Sequence, residues 1–334
     1  MLVYKYRGSF TRDLKSLKND TFWASNTSQL NDPCEGLILI DDYKKQIEIL
    51  KQTFSQYPSS LDSFEKNFQD IIKMKDNKLG IFSLSKNFND ELLWAHYANS
   101  HKGFCIEYHL PTLLKNQLPP FRSFDVSYSN DVPNLSLTHI ISQKDADLLI
   151  KNMLGYKSKR WEYENELRII TENFGLNSYD YRAVKAIYFG LKTPESTISK
   201  TMKALKGRTI KYYKMSLKPS SFELIANEIE DRFPTLEKYK YSIAPIAESA
   251  IDSSRIKVGY ESFIPFLHKL AEIVRREPDC IEVEYIDLSN SKSTPTSPVF
   301  FAQYKTQEND WLTHTVHYTL EEIDSAYKKI DDLK

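Results

Sequence analysis

The sequence predicts an α+β protein. A mixed-sheet domain with flanking helices covers residues 1–231, a linker region covers 232–258, and a small helix–three-strand–helix domain covers 259–334. Three observations carry this reading. Short apolar strands and amphipathic helices alternate over the first two thirds of the chain, with no internal repeat. The stretch 232–258 holds Pro234, Pro245 and several serines and has little periodicity. Beyond it, one amphipathic helix, three strands and a capped final helix follow in close order.

The elements follow in chain order. Residues 1–7 read as a strand, and Ser9-Phe10-Thr11-Arg12-Asp13 opens a helix reaching about Lys18. Thr21-Phe22-Trp23-Ala24 is a second short strand, and Leu30-Asn31-Asp32-Pro33-Cys34-Glu35-Gly36 is turn chemistry. Residues 42–75 are helical in pattern through Ile47, Leu50, Phe54, Phe64, Phe68, Ile71 and Ile72. Ile81–Ser85 reads as a strand; Asn89-Asp90-Glu91 then caps a helix carrying Leu92, Leu93, Trp94 and Tyr97. Phe104–Tyr108 and Phe124–Tyr128 are strands, and residues 143–159 are helical. Val184–Gly190 is a strand ending in a glycine turn, Ser196–Leu205 a helix, and Thr209–Leu217 the last strand of this domain. In the C-terminal part, Phe263–Arg275 is an amphipathic helix. Ile281–Leu288, Val299–Tyr304 and Trp311–Tyr318 are strands, separated by turns at Ser291–Ser297 and Gln307–Asp310. Thr319-Leu320-Glu321-Glu322 is a capping box that starts the final helix.

Bulk composition narrows the function. Lys+Arg and Asp+Glu balance at 45 each in 334 residues, so no global field draws the chain to nucleic acid or to an anionic membrane. Glycine is scarce at 9, and neither GxGxxG nor GxxxxGK[ST] occurs, which argues against glycine-rich phosphate loops. The three cysteines Cys34, Cys105 and Cys280 are scattered and odd in number, so neither a disulfide framework nor a zinc cluster is indicated. The N-terminus has no apolar signal core, and no apolar run is long enough to span a bilayer. The cytoplasm is the expected compartment.

The most informative segment is Trp161-Glu162-Tyr163-Glu164-Asn165-Glu166-Leu167-Arg168. As a strand it would stack Glu162, Glu164, Glu166 and Arg168 on one face, costly unless the charges are used. As a helix it would offer an ordinary Glu164–Arg168 pair. On a turn leading into a strand over Leu167–Thr171, the pair Glu164 and Glu166 would sit at a strand edge. Lys157, Lys159 and Arg160 precede it and either balance these carboxylates or contact phosphate.

The first two thirds, roughly residues 1–220, resemble the bacterial family known as domain of unknown function 2971. The resemblance runs through Tyr4-Lys5-Tyr6-Arg7, Phe22-Trp23-Ala24-Ser25 with Leu30-Asn31-Asp32-Pro33, Ser83-Leu84-Ser85, Leu93-Trp94-Ala95-His96-Tyr97, His101-Lys102-Gly103-Phe104 and the glutamate segment. That family name implies no activity. In motif order, the chain is also similar to ADP-ribosyltransferases of the Arg–Ser–Glu class: Arg7, then Ser83-Leu84-Ser85, then Glu164-Asn165-Glu166. Its middle motif reads Ser-Leu-Ser, where Ser-Thr-Ser is commoner in that class. This second resemblance implies a split mixed sheet with NAD as substrate and without a metal. It also implies an NAD-consuming transferase or glycohydrolase, of the kind found as a toxin or anti-phage defence effector modifying a macromolecular acceptor. Arg7 would hold the NAD pyrophosphate. Ser83 would brace the pocket, Ser85 would stand with it among the cofactor-binding residues, and Glu166 would hold the nicotinamide ribose and stabilise an oxocarbenium-like transition state. Glu164 would orient or deprotonate the acceptor.

Each residue also has a plainer role. Arg7 could be a structural ion-pair partner of Glu164 or Glu166, and Ser83 and Ser85 half-exposed strand residues. Trp94 and Tyr97, at i,i+3, are core residues by default and a stacking platform for a nicotinamide or adenine ring otherwise. His96 and His101 are wrongly spaced for one helical face and lack a third ligand, while His101-Lys102-Gly103 fits a helix C-terminus. Asn31 and Asp32 form a turn or serve a pocket. Cys105 is expected to be buried and inert. Glu282-Val283-Glu284 repeats the glutamate pattern in the C-terminal domain, where His314 and His317 fall on opposite strand faces. That domain is expected to bind a partner or to oligomerise. A non-enzymatic module that binds a ligand or partner protein through the charged pocket is the competing reading. A metal-dependent nuclease is disfavoured, because Leu167-Arg168 follows Glu166 where Glu-x-Lys would be needed.

Overall fold

A computed structural model of the protein describes every residue except 9, 55–57, 116, 118–119, 138–145, 241, 253, 255, 257–258, 295, 307–312 and 332–334. The chain divides into two compact units, Met1–Leu236 and Glu237–Lys334, each of mixed α and β structure.

The first unit begins with β1 (Leu2–Arg7), α1 (Phe10–Lys18), β2 (Thr21–Ala24), α2 (Asp41–Thr53), α3 (Pro58–Asn77) and β3 (Gly80–Ser85). It continues through α4 (Glu91–Tyr97), β4 (Phe104–His109), α5 (Leu110–Leu114), β5 (Arg122–Asp125), β6 (Ser127–Ser129) and α6 (Ala146–Leu154). It ends with β7 (Tyr156–Ser158), β8 (Glu166–Thr171), β9 (Gly175–Ser178), β10 (Val184–Phe189), α7 (Glu195–Ala204), β11 (Lys211–Leu217) and β12 (Leu224–Ile229). Eight of these strands form one mixed sheet in the order β12-β11-β10-β4-β1-β3-β8-β5. Only β10 and β11 run parallel in it; its other neighbours are antiparallel.

The central strands are buried on both faces and mostly apolar, as cover by helices on each side requires. In β4, Phe104, Cys105, Ile106, Glu107 and Tyr108 are all buried. One face packs Val3, Phe82, Ile106 and Ile187 against Leu17 of α1 and Ile198 and Met202 of α7. Tyr4, Tyr6 and Tyr188 pack with Leu93 and Trp94 of α4 in a second cluster. A third joins Ile81 and Ile170 to Tyr43, Phe68 and Leu154 from α2, α3 and α6.

One join in the sheet positions the site. β1 pairs with β4 along all six of its residues but meets β3 only at Tyr4↔Ser85. Four residues away on β3, Ile81 exchanges backbone hydrogen bonds with Ser25, just past β2, at 2.7 and 2.9 Å. Between these points, roughly 13 Å apart at ~3.3 Å per residue, no strand among the described residues pairs with the β3 edge, which forms the floor of a cleft.

Several elements differ from the sequence reading, each for a local reason. The helical pattern at 42–75 is two helices, the second with Pro58 in its first position, where a missing N–H costs nothing. The strand expected over 124–128 is cut at Val126, whose N–H bonds Glu166 while that of Ser127 bonds Gly155, so the chain passes from one sheet to another. The helix expected over 143–159 stops at Leu154 and gives way to β7; its residues 143–145 lie outside the described residues. A Cβ on Gly155 would come within 2.5 Å of the Lys151 carbonyl oxygen, so the chain turns there on bare backbone. Thr209 is left-handed at φ 55°, and β11 starts two residues later than expected. Strands β9 and β12 were not expected; each is short or edge-placed and half exposed.

The second unit contains α8 (Ile264–Val274), the antiparallel meander β13 (Glu282–Leu288), β14 (Val299–Lys305) and β15 (Thr313–Thr319), and α9 (Leu320–Asp331). Alternate residues Phe300, Ala302 and Tyr304 of β14 join Leu267, Leu270 and Val274 of α8 in its core. Thr319 and Glu322 close a reciprocal capping box: Glu322 donates its N–H to Thr319 Oγ1 and accepts from the Thr319 N–H at 2.8 Å. Ala244 and Ala247 donate their N–H groups to the Arg275 and Val283 carbonyls, and Ala250 accepts from the Ile286 N–H, which ties residues 244–250 into this unit. Glu282 and Glu284 both pair with Lys305, an ordinary cross-strand arrangement. Trp311 and the turn Gln307–Asp310 lie outside the described residues.

Candidate functional site

The cleft above the β3 edge has a volume of about 750 Å³. Lys5 and Arg7 of β1, Arg12 and Asp13 of α1, Trp23 of β2, Ser83 and Ser85 of β3, and Tyr97 of α4 line it, together with Lys157, Glu164 and Glu166. By strand alternation Lys5 and Arg7 belong with the Phe82 face of the sheet, whereas Glu166 and Ser85 are direct cross-strand partners on the other face. The gap between β1 and β3 lets both sets reach one cavity. Lys5 also compensates the gap: its Nζ donates to the Ser83 carbonyl at 2.5 Å, taking the place of a strand partner.

The glutamate segment is neither strand nor α-helix up to Glu164. Residues Lys159–Glu164 form a 3₁₀ turn, Asn165 is left-handed at φ 43°, and β8 begins at Glu166. Asparagine tolerates this conformation better than most residues. The reversal turns Glu164 and Glu166 onto one buried ammonium: Lys157 Nζ lies 2.5 Å from Glu164 Oε2 and 3.3 Å from Glu166 Oε2. Trp161 covers that ammonium, its ring centroid 4.8 Å away. Glu162, by contrast, pairs at the surface with Lys159.

The carboxylates sit in a wider buried network. Arg168 is fully buried; its Nε donates to Glu166 Oε1 at 2.8 Å, one terminal nitrogen donates to the Leu154 carbonyl, and the other clamps both oxygens of Glu35 at 2.8 and 2.6 Å. Lys157 also lies 3.4 Å from Glu35. Three carboxylates, Glu35, Glu164 and Glu166, thus share two cations, Lys157 and Arg168, beside the cleft. Burial pushes the Glu166 carboxyl up, but Arg168 and Lys157 outweigh it and hold it at about 2. For Glu35 burial prevails over the same two cations and its carboxyl is raised. Burial, then the adjacent Arg7, pulls the Lys5 ammonium down to about 7.

Glu164 is also oriented from outside this network. Asn31 donates to Tyr97 Oη at 2.8 Å, and that hydroxyl donates to Glu164 Oε1 at 2.6 Å. Burial and Glu164 together raise the Tyr97 hydroxyl far above its ordinary value, so it stays a donor. Ser85 Oγ donates to the Glu164 carbonyl, and the Tyr128 hydroxyl accepts from the Glu166 N–H.

The structure therefore brings Arg7, Ser83, Ser85, Tyr97, Glu164 and Glu166 to one cleft. Among the described residues Arg7 pairs with Asp13, at 4.0 Å, and not with either glutamate. Trp94 is elsewhere: it is fully buried, its indole N–H is spent on the Phe88 carbonyl, and it packs edge-on to Tyr6. It cannot serve as a stacking platform. His101 does not close a helix, because α4 ends at Tyr97 and residues 99–101 are all left-handed. Gly103 is needed for close approach: a Cβ there would lie 2.0 Å from the Arg7 carbonyl oxygen. Asp32 folds back on its own turn, accepting from the Cys34 N–H. Cys105 is buried and its thiol pushed well up.

Sequence reasoning missed Lys5, Glu35 and Trp23 as site residues, and gave Arg168 no role in the cleft. A signal existed for one of them: Lys5 interrupts the apolar, aromatic run Leu2–Tyr6 of a central strand. Among the described residues no group of His, Cys, Asp and Glu is arranged to hold a metal ion, and no helix is long and apolar enough to cross a membrane.

No curated protein and no solved structure matches the chain. Over residues 93–169, from α4 through the glutamate segment into β8, the chain is similar to the family described as Protein of unknown function (DUF2971).

Proposed function

We propose that the cleft binds NAD and transfers its ADP-ribose to an acceptor, either a macromolecule or water. The observation that supports this most is the convergence of Arg7, Ser83, Glu164 and Glu166 on one cavity at the gap between β1 and β3. In this reading Arg7, with Lys5 beside it, holds the pyrophosphate. Glu166 is ionised across the neutral range and rigidly held, so its charge is in place before the reaction. The bond between ribose C1′ and the nicotinamide nitrogen breaks, and its electron pair neutralises the pyridinium. The acceptor attacks C1′ and its proton passes to Glu164, whose Oε1 is aligned by Tyr97. Incubation with NAD and measurement of free nicotinamide tests the proposal. Release by the wild type and its loss in Glu164→Gln and Arg7→Ala supports it. Absence of both release and labelling of protein or nucleic acid acceptors overturns it.

One observation favours a second reading, a non-catalytic ligand-binding module. Both carboxylate oxygens of Glu164 and of Glu166 already have protein partners. Under that reading Glu166→Gln weakens ligand binding, and the wild type turns nothing over.

A further inference from the structure

We infer that Trp23 is the platform on which the planar aromatic base of a nucleotide stacks, an assignment that rests on the nucleotide reading of the same cleft. Trp23 is 49% exposed, whereas the Phe22 beside it is buried and stacked on Phe82 with ring centroids 4.2 Å apart. Thr21, Trp23 and Ser25, alternate residues at β2, all line the cleft. Leu176, the direct cross-strand partner of Trp23 on β9, is 66% exposed and lines the cleft as well. Trp23 and Leu176 make an apolar patch in a cavity whose β1 and α1 side carries Lys5, Arg7, Arg12 and Lys15 around the single carboxylate of Asp13.

The indole is held in place without being buried. Its Nε1–H donates to Gln29 Oε1 at 3.3 Å, and Gln29 is itself locked in a capping box with Asn26. Gly175 lies beside the ring at φ 113°, a backbone conformation that disfavours any side chain there, although a Cβ would meet Trp23 Cη2 only in ordinary contact at 4.0 Å. A solvent-open indole tethered through Gln29, next to a mostly cationic side, suits a ligand with a flat base at one end and phosphate at the other.

Isothermal titration of the full chain with AMP, nicotinamide mononucleotide and base-free ribose 5-phosphate tests this. At least one nucleotide should bind tighter than ribose 5-phosphate by between about 5-fold and 150-fold, the usual range for one stacked base. Trp23→Ala should erase that advantage and Trp23→Phe should keep most of it. A preference for AMP assigns the platform to adenine, and a preference for nicotinamide mononucleotide assigns it to nicotinamide. Equal binding of all three probes by the wild type, or an advantage that survives in Trp23→Ala, overturns the inference. The readout is independent of turnover. Trp23-dependent binding without nicotinamide release removes the transferase reading alone; nicotinamide release with an unchanged KM in Trp23→Ala removes the stacking platform alone.

Discussion

Lys157 holds Glu164 at 2.5 Å, and both side chains are less than a tenth exposed. The same ammonium reaches Glu35 and Glu166, so one cation is shared by three buried carboxylates. Removing it leaves largely buried carboxylates short of a partner. Lys157→Met is expected to cost about 3–5 kcal/mol. Lys159→Met, at the exposed pair with Glu162, should stay within about 1 kcal/mol. Urea midpoints of the two variants check this, and equal losses would show that the network is not strongly coupled to folding.

Lys5 gives stability a pH dependence of definite sign. Burial, then Arg7, lowers its ammonium from 10.5 to about 7, so between those values the unfolded chain holds more protons than the folded one. Its contribution therefore makes folding more favourable as pH rises from 7 toward 10 and is constant below 7. The stability of the wild type relative to Lys5→Met should climb over that window in denaturation series. An anion bound beside Lys5 favours the protonated form, so affinity for ADP-ribose should fall above pH 7 in the wild type and stay flatter in the variant. A relative stability that is level or falling from pH 7 to 10 contradicts the placement of Lys5.

Asn165 turns the chain between the two glutamates at φ 43°. A β-branched side chain is strained there, and Asn165→Val should cost about 1–2 kcal/mol. Asn165→Gly fits the same backbone and should cost less. Thermal melts of the pair distinguish backbone strain from loss of the Asn165 contact with Asn87, which both variants share.

Tyr97→Phe deletes the hydroxyl between Asn31 and Glu164 and leaves the ring in place. Stability should fall by about 0.5–1.5 kcal/mol, the usual worth of one hydrogen bond. If Glu164 takes the acceptor proton, kcat for nicotinamide release should drop by about 10- to 100-fold, as expected of a misplaced group, with KM for NAD little changed. A drop confined to KM would make Tyr97 a binding residue instead.

The sequence by itself determined what rests on local rules. Short apolar runs located β1, β3 and β4; Asp90 capped α4 through the Leu93 N–H; Thr319 and Glu322 boxed the last helix. The motifs also named six of the residues that meet in the cleft. Only the tertiary structure decided how the charges are used. Glu35 and Arg168 lie 133 residues apart and form a bidentate pair, which no spacing rule anticipates. Trp94 and Trp23 both sit in apolar stretches. The sheet topology buries one and leaves the other at an opening, because β1 parts from β3 after a single residue pair. Whether a strand lysine such as Lys5 meets water or a cavity depends on which strand lies beside it, and that is settled by long-range pairing of the whole sheet.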